Sequence, residues 1–396
     1  MARRGRLADP RRGLTVTGPA ALAGLLAELR DARSNASELF FADQAERIAR
    51  LCRELAERFT RGGRLLALGA TPQARSDAHH VAVEFVHPVI VGKRALPALA
   101  VTAVDLPLLA RPDDMVIAFE REVPSAAVER GCLGIAFTQA GAEWVFEPPT
   151  DDAFVRQELV ETLYHVLWEL CHVFFDHLGG STAGAGASDF LYPFLGAASG
   201  DLEPVVDDVR RSALMKAREA SDLRARTLDE SQSELAGAAA MVASAVAAGG
   251  TVLALGNGGS ATDAEDVVAD FRAAPQGWPA RRAIDLTADS AILTALANDI
   301  GPEVLFARQI IAYGGPGDVA LALSTSGNST NIVEALREAR RRGIGTVAMV
   351  GYDGGRVAAE RLADHVVVAR SEHIPRIQEA HAAAYHVLRE LVEAEA

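Results

Sequence analysis

The 396-residue sequence is short of the features that mark many protein classes. It has three cysteines (Cys52, Cys132, Cys171), scattered and without a CxxC pair. That excludes a disulfide framework or a zinc ribbon and leads us to expect a reducing cytosol. No stretch reaches the ~18 uncharged apolar residues that a membrane span needs, so no membrane partner is expected. Positive charge is scarce, with 39 Lys and Arg against 53 Asp and Glu and a net charge of −14. This is the wrong sign for a nucleic-acid binder. It does not exclude a small anion, which a few backbone N–H groups can hold. The first residues, MARRGRLADPRRG, carry five arginines with no apolar segment behind them. They read as a disordered arm over 1–13 and not as a signal peptide. No GxxxxGK[ST] sequence occurs, which disfavours nucleoside triphosphate chemistry.

What is present is a repeat. Arg61-Gly-Gly-Arg-Leu-Leu-Ala-Leu-Gly69 matches Ala248-Gly-Gly-Thr-Val-Leu-Ala-Leu-Gly256 at an offset of 187. The helical segment from Asp77 to Phe85 matches Asp263 to Phe271 at 186. Gln157-Glu158 with Tyr164-His165 matches Gln378-Glu379 with Tyr385-His386 at 221, so the second copy holds 35 more residues before its last helix. Tandem duplication followed by loss in the first copy accounts for this. The Gly/Ala/Ser-rich run from Gly179 to Ser188 reads as a linker. We therefore expect a degenerate unit over 14–178, a linker over 179–204 and a full unit over 205–396. The apolar Phe190-Leu-Tyr-Pro-Phe-Leu195 within the linker is expected to dock on one of the units.

Both units open with helical patterns (19–60 and 206–247). The second then alternates strands at 251–255, 283–286, 318–323, 346–350 and 365–368 with helices at 260–273, 290–298, 331–342, 355–362 and 375–394. Strands spaced by helices predict an α/β fold with a parallel sheet sandwiched between helices. The first unit reads as truncated, with a shorter, irregular middle over 95–150.

Two strand–loop–helix junctions in the second unit look built for an anion. In the loop 324–329, Ser324, Thr325, Ser326, Asn328 and Ser329 offer hydroxyl or amide groups, and Gly327 allows close backbone approach. The helix that follows presents unsatisfied N–H groups and a positive dipole end, for which phosphate is the natural guest. A helix cap needs one such residue, not five. Gly256-Asn-Gly-Gly-Ser260 has the same setting. It also resembles a dinucleotide fingerprint, but no acidic residue follows at the expected distance, so no nucleotide cofactor is expected.

GNGGSATDA at 256–264, LTADSAILTALANDIG at 286–301, STSGNSTNIVEAL at 324–336 and RIQEAHAAAYHVL at 376–388 together resemble the sugar isomerase (SIS) family, on its phosphoheptose isomerase side. The resemblance spans 205–396 and is patchy over 61–93 and 156–170. It implies two SIS-type units and a cytoplasmic aldose–ketose isomerase of a sedoheptulose 7-phosphate-like sugar, acting through an enediol. It also implies sites at unit interfaces and a homodimer that amounts to a pseudo-tetramer of units. It implies substrate contacts from Asn257, Gly258, Ser260, Ser324, Thr325, Ser326, Ser329 and Gln378. The family's acid–base pair maps onto Glu84 with His165, or onto Asp270 with His386. Its zinc ligands map onto His80, Glu84, Gln157 and His165.

The mapping is split between the copies. The first keeps the acid–base and metal positions but has Gly69-Ala-Thr-Pro-Gln73 in place of GNGGS and Ala118-Phe-Glu-Arg-Glu-Val123 in place of the serine loop. The second keeps both loops but has Asp266 and Asp270 where the family has His and Glu. Asp270 as a base is shorter by a methylene, a retreat of ~1 Å that can cost ~10²-fold. Asp266 and Asp270 also suit Mg²⁺ or Mn²⁺, or form a solvated acidic face. The competing function is a non-catalytic phosphosugar sensor or scaffold, which the degenerate loops of the first copy favour. Retention of Glu84 and His165 favours the isomerase. A nicotinamide enzyme ranks third. The sequence leaves open which pair faces the serine loop.

Overall fold

The computed structural model describes residues 19–87, 93–138, 142–178 and 202–395. The expected N-terminal arm, the linker as far as 201 and its apolar hexapeptide lie outside the described residues. The first unit runs α1 (Pro19–Thr60), β1 (Leu65–Gly69), α2 (Pro72–Val86), β2 (Ala98–Ala100), α3 (Leu106–Leu109), β3 (Met115–Phe119), α4 (Ser125–Val128), β4 (Leu133–Ala136), β5 (Trp144–Val145) and α5 (Ala153–Leu178). The second runs α6 (Glu203–Glu230), α7 (Gln232–Ala247), β6 (Val252–Leu255), α8 (Gly259–Ala273), β7 (Ala283–Asp285), α9 (Ser290–Asp299), a 3₁₀ turn (Pro302–Val304), α10 (Leu305–Tyr313), β8 (Val319–Ser324), α11 (Thr330–Arg341), β9 (Gly345–Gly351), α12 (Gly355–Ala359), β10 (His365–Ala369) and α13 (Ile374–Glu395).

Each unit carries a five-stranded, fully parallel sheet, in the orders β2-β1-β3-β4-β5 and β10-β9-β8-β6-β7. The central strands Met115–Phe119 and Val319–Ser324 are buried throughout, as apolar runs covered on both faces must be. The first unit is shorter in crossover helix, not in strands. Residues 101–114 between β2 and β3 hold one helical turn, whereas 286–318 between β7 and β8 hold α9, the 3₁₀ turn and α10. Three details differ from the pattern read along the chain. Helix 206–247 is two helices that break at Ser231, α10 adds a helix to the expected alternation, and the middle of the first unit forms four short strands.

The units are interleaved. Leu26 and Leu29 of α1 pack in the core of the second sheet. Val206, Val209, Ala213 and Ala217 of α6 pack in the core of the first. Thus each opening helix spans both cores, and the boundary between units runs through shared side chains. α2 and α8 face each other at the centre of the molecule, flanked by α5 and α13.

Buried ion pairs tie α5 to α6 and α13. Glu169 meets Arg376 and Lys216. Burial pushes its carboxyl up, but these two cations outweigh that and hold it down at about 2. A depressed carboxyl stabilises the fold fully above its unfolded value near 4.5 and loses that contribution as pH falls toward 2. We expect unfolding free energy at pH 3 to fall less steeply for Glu169→Gln than for the wild type, with about 3 kcal/mol of the wild type's stability at pH 7 traceable to this group. Parallel urea titrations at pH 7 and pH 3 check this.

Candidate active site

In both sheets the chain leaves the first strand toward one side and returns on the other. β6 lies between β7 and β8. The crevice at the carboxyl ends of β6 and β8 is where open α/β sheets take ligands. The loops 256–259 and 324–329 follow directly on the ends of those two strands. Gly258 has φ +58°, a conformation that glycine adopts freely, and neither α8 nor α11 has a side-chain cap on its first amides. The Ser260, Ala261 and Ile332 N–H groups donate to the Asn257, Gly258 and Ser329 carbonyls, so the amides left to an anion are those of Gly259, Thr330 and Asn331. Asn257 and Asn331 exchange amide hydrogen bonds of 3.0 and 2.9 Å across the two loops. Ser324 and Ser326 accept from the Gly327 and Asn328 backbone N–H groups, which shapes the turn. Ser260 and Ser324 are buried at the floor, Thr325, Ser326 and Ser329 are half-buried, and Asn257 and Gly258 are exposed at the mouth.

The Gly-rich loop of the second unit ends against His80 of the first unit and Gln378 of its own last helix. A Cβ placed on Gly259 would stand 1.9 Å from Gln378 Nε2 and 3.0 Å from His80 Nε2. Gln378 Nε2 donates to His80 Nε2 at 3.0 Å. His80 Nε2 lies 3.4 Å from His165 Nε2 and 3.9 Å from Glu84 Oε1. So His80 and Glu84 of α2, His165 of α5 and Gln378 of α13 meet beside the Gly-rich turn. His80 and Glu84 share a face because they are four apart on one helix. His165 Nδ1–H donates to Glu379 at 3.0 Å, which turns its Nε2 toward His80. Burial, then the neighbouring His165, holds His80 well below its ordinary value, so it is neutral. Burial pushes the Glu84 carboxyl up, while His165 and Gln378 pull it back.

Gln157 goes elsewhere. It was expected beside His80, but its amide donates to Asp77 at 3.4 Å, and Gln378 from the other copy stands at His80 instead. α13 brings Gln378 across the central interface to α2 of the first unit, whereas Gln157 of α5 stays against α2 of its own unit. The contact His386 Nδ1 to Glu158, also 3.0 Å, is the mirror of His165 to Glu379. Asp270 and His386 are together, with His386 Nε2 lying 3.5 Å from Asp270 Oδ2 and 3.5 Å from Asp266 Oδ2. They do not abut the serine loop. Beside them, in the place that Gly259 takes at the first cluster, stands Gln73, whose amide donates to Asp270 at 3.1 Å. There Glu120 accepts from the Thr71 hydroxyl, so an acid occupies the position of the serine turn.

The donor set of the first cluster fits a zinc ion. Gln378 already donates to His80 Nε2, and Glu379 holds the proton on His165 Nδ1, so two imidazole lone pairs point at each other. Glu84 Oε2, Gln378 Oε1 and Glu161 Oε1 are buried without a hydrogen-bond partner. Glu161, a turn before His165, lies close enough to both histidines to share an ion. Glu161, Asp263, Asp77, Glu158 and Glu379 were not singled out from sequence. A signal existed for four of them, since Asp77 and Asp263 match between the copies, as do Glu158 and Glu379. Around the interface Asp77, Glu84, Glu161, Asp263, Asp266 and Asp270 are all buried. Among the described residues no Lys or Arg forms an ion pair with any of them.

The arrangement defines a class before it defines a reaction. The sequence profile of the SIS domain matches residues 217–351. The tagatose-6-phosphate ketose/aldose isomerase from Escherichia coli superposes with a TM-score of 0.54 at 15% identity, over 95% of each chain. The C-terminal domain of glucosamine-fructose-6-phosphate aminotransferase from Francisella tularensis superposes with 0.56 at 10% identity, over 93% of this chain and 94% of its own. These likenesses show that the whole two-sheet fold is shared. The phosphoheptose isomerase of Nitratidesulfovibrio vulgaris is 38% identical over 190 residues, 48% of this chain and 90% of its own. That of Aquifex aeolicus is 40% identical over 180 residues, 44% of this chain and 92% of its own. The chain therefore belongs to the SIS-domain isomerase enzymes, in the phosphoheptose isomerase family. No helix among the described residues is long and apolar enough to cross a membrane.

The contact at Gly259 gives a direct test of the composite cluster. In Gly259→Ala the new methyl must push the Gln378 amide off His80. The obstructing atoms at closest range are the end of a flexible side chain, so the fold survives. A shift of ~1 Å at a reacting group can cost ~10²-fold, so we expect turnover to fall on that order. The melting temperature should stay within about 3 °C of the wild type.

Proposed function

We propose that the chain is an aldose–ketose isomerase of a sedoheptulose 7-phosphate-like sugar. Its one working site combines the second unit's loops with the first unit's acid–base groups. The observation that carries this is the packing of Gly259 against His80 and Gln378, which joins an open phosphate cradle to Glu84 and His165. The sugar's phosphate sits on the loop 324–329, with Asn257, Gly258 and Ser260, and its carbonyl end reaches past Gly259. Glu84 removes the proton from the carbon next to the carbonyl, and the carbonyl oxygen takes up a proton, giving the enediol. The proton returns to the former carbonyl carbon as the neighbouring hydroxyl loses its own, so no atom is gained or lost. Burial makes Glu84 a stronger base than a carboxylate in water. His165, oriented by Glu379, moves the proton at the oxygens through Nε2.

Were zinc bound, His80, Glu84, His165 and Gln378 would hold it; His165 Nε2 would then be committed to the ion, and Lewis-acid polarisation of the sugar's oxygens would replace proton transfer by His165. No nucleotide enters the reaction. We expect the chain to work as a homodimer in the cytoplasm, sedimenting at twice the chain mass.

The test is solvent deuterium incorporation into sedoheptulose 7-phosphate. Label at the carbon beside the carbonyl, together with aldose product, supports the reading. A rise in melting temperature with the same sugar but no label would make the protein a phosphosugar sensor instead.

A further inference from the structure

The second cluster, at the mirror position, has no serine turn and no exposed mouth of its own kind, yet it is not filled by apolar side chains. Asp266, Asp270 and His386 are each no more than 1% exposed. Asp266 Oδ2 accepts from the Tyr385 hydroxyl at 2.8 Å, and Asp270 Oδ1 from Gln73. That leaves Asp266 Oδ1, Asp270 Oδ2 and His386 Nε2 buried with no hydrogen-bond partner. His386 Nδ1 is committed to Glu158, and the ring is stacked on Phe154 at 4.3 Å, so its Nε2 is fixed in direction. It points between the two carboxylates, 3.5 Å from each. Buried polar atoms are rarely left unpaired at this depth.

We propose that Asp266, Asp270 and His386 form a second metal site, for a hard divalent cation of the manganese or magnesium class. Donor atoms 3.5 Å apart subtend about 105–113° at an ion ~2.1–2.2 Å from both. Two carboxylates and one imidazole favour manganese over the thiolate-loving metals and are harder than the two-histidine set at the first cluster. Gln73 and Tyr385 supply the outer hydrogen bonds that fix each carboxylate. A cavity of about 40 Å³ with room for water is lined by Gln73, Asp77, Glu120 and Gln157, on the far side of Gln73 from the three ligands. The exchange of His and Glu for two aspartates therefore changed the metal and did not simply erase a site. The inference stands independently of turnover at Glu84, because it concerns the other cluster.

The test uses the full chain, stripped with EDTA and given one equivalent of zinc, then titrated with Mn²⁺ and followed by electron paramagnetic resonance. We expect one bound Mn²⁺ per chain at or below ~100 µM, with coupling to a single imidazole nitrogen. Asp266→Asn with Asp270→Asn should weaken binding at least ~10-fold. Free-ion signal only, up to ~1 mM, would mean that a proton on His386 does the neutralising and would overturn the proposal. So would bound manganese without nitrogen coupling, or binding undiminished in the double variant. The nitrogen coupling is read on the wild type, so it decides even where the double variant fails to fold.

Discussion

Glu84→Gln is expected to lower turnover of the sugar phosphate by ~10³–10⁴-fold, at the upper end of what general-base removal costs. Deuterium incorporation should fall with it, because the same proton is involved in both. Asp270→Asn should stay within about threefold of wild type, since its effect reaches the site only through packing. The contrast follows from placement. Glu84 shares a cluster with His80 and Gln378, which touch the Gly-rich turn, whereas Asp270 lies behind Gln73. Stability separates this from misfolding. Glu84 is one of several buried carboxylates, with burial as the main force raising its pKa. Removing its charge should therefore leave the urea midpoint unchanged or raised. Equal losses in both variants would place the chemistry at both clusters, and full activity in both would remove Glu84 from the reaction.

The second large effect is on stability. Arg33, at 3% exposure, donates from Nε to both Glu158 oxygens at 3.0 and 3.1 Å and reaches Glu390 at 3.5 Å. It joins α1 to the last helices of both units. Burial pushes the Glu158 carboxyl up, but Arg33 first, then His386, hold it at about 2. Arg33→Met strands that charge, and breaking a buried pair from one side costs ~3–5 kcal/mol. Denaturant unfolding should show this as a lower midpoint with unchanged slope. Adding Glu158→Gln should recover part of the loss, because the stranded charge is then gone. A loss below ~1 kcal/mol would mean that His386 and Arg224 alone satisfy Glu158.

Much of this molecule was legible from residues alone. The second sheet could be read strand by strand because its elements alternate and its loops carry Gly, Ser and Asn at positions that need them. The first sheet was harder. Its strands Ala98–Ala100 and Trp144–Val145 are too short to show a period, and α3 and α4 are single turns. α10 escaped because its buried residues are few, Phe306, Gln309 and Ile310. The site residues were legible as types and not as partners. Local spacing put His80 with Glu84 but implied Gln157 with His165, since both lie on one helix. Which glutamine meets His80 depends on how α5 and α13 cross between units, and no local period encodes that. The charge surplus was equally hidden, because buried and surface carboxylates look alike in a sequence.

The central claim is that one site forms from both copies, with the cradle from the second and the acid–base groups from the first. A crystal structure of the chain with a linear sugar phosphate bound tests it most directly. The account predicts the phosphate on the loop 324–329 and the carbonyl end beside Glu84 and His165. A carbonyl end beside Asp270 and His386, or a phosphate away from the serine turn, would contradict it.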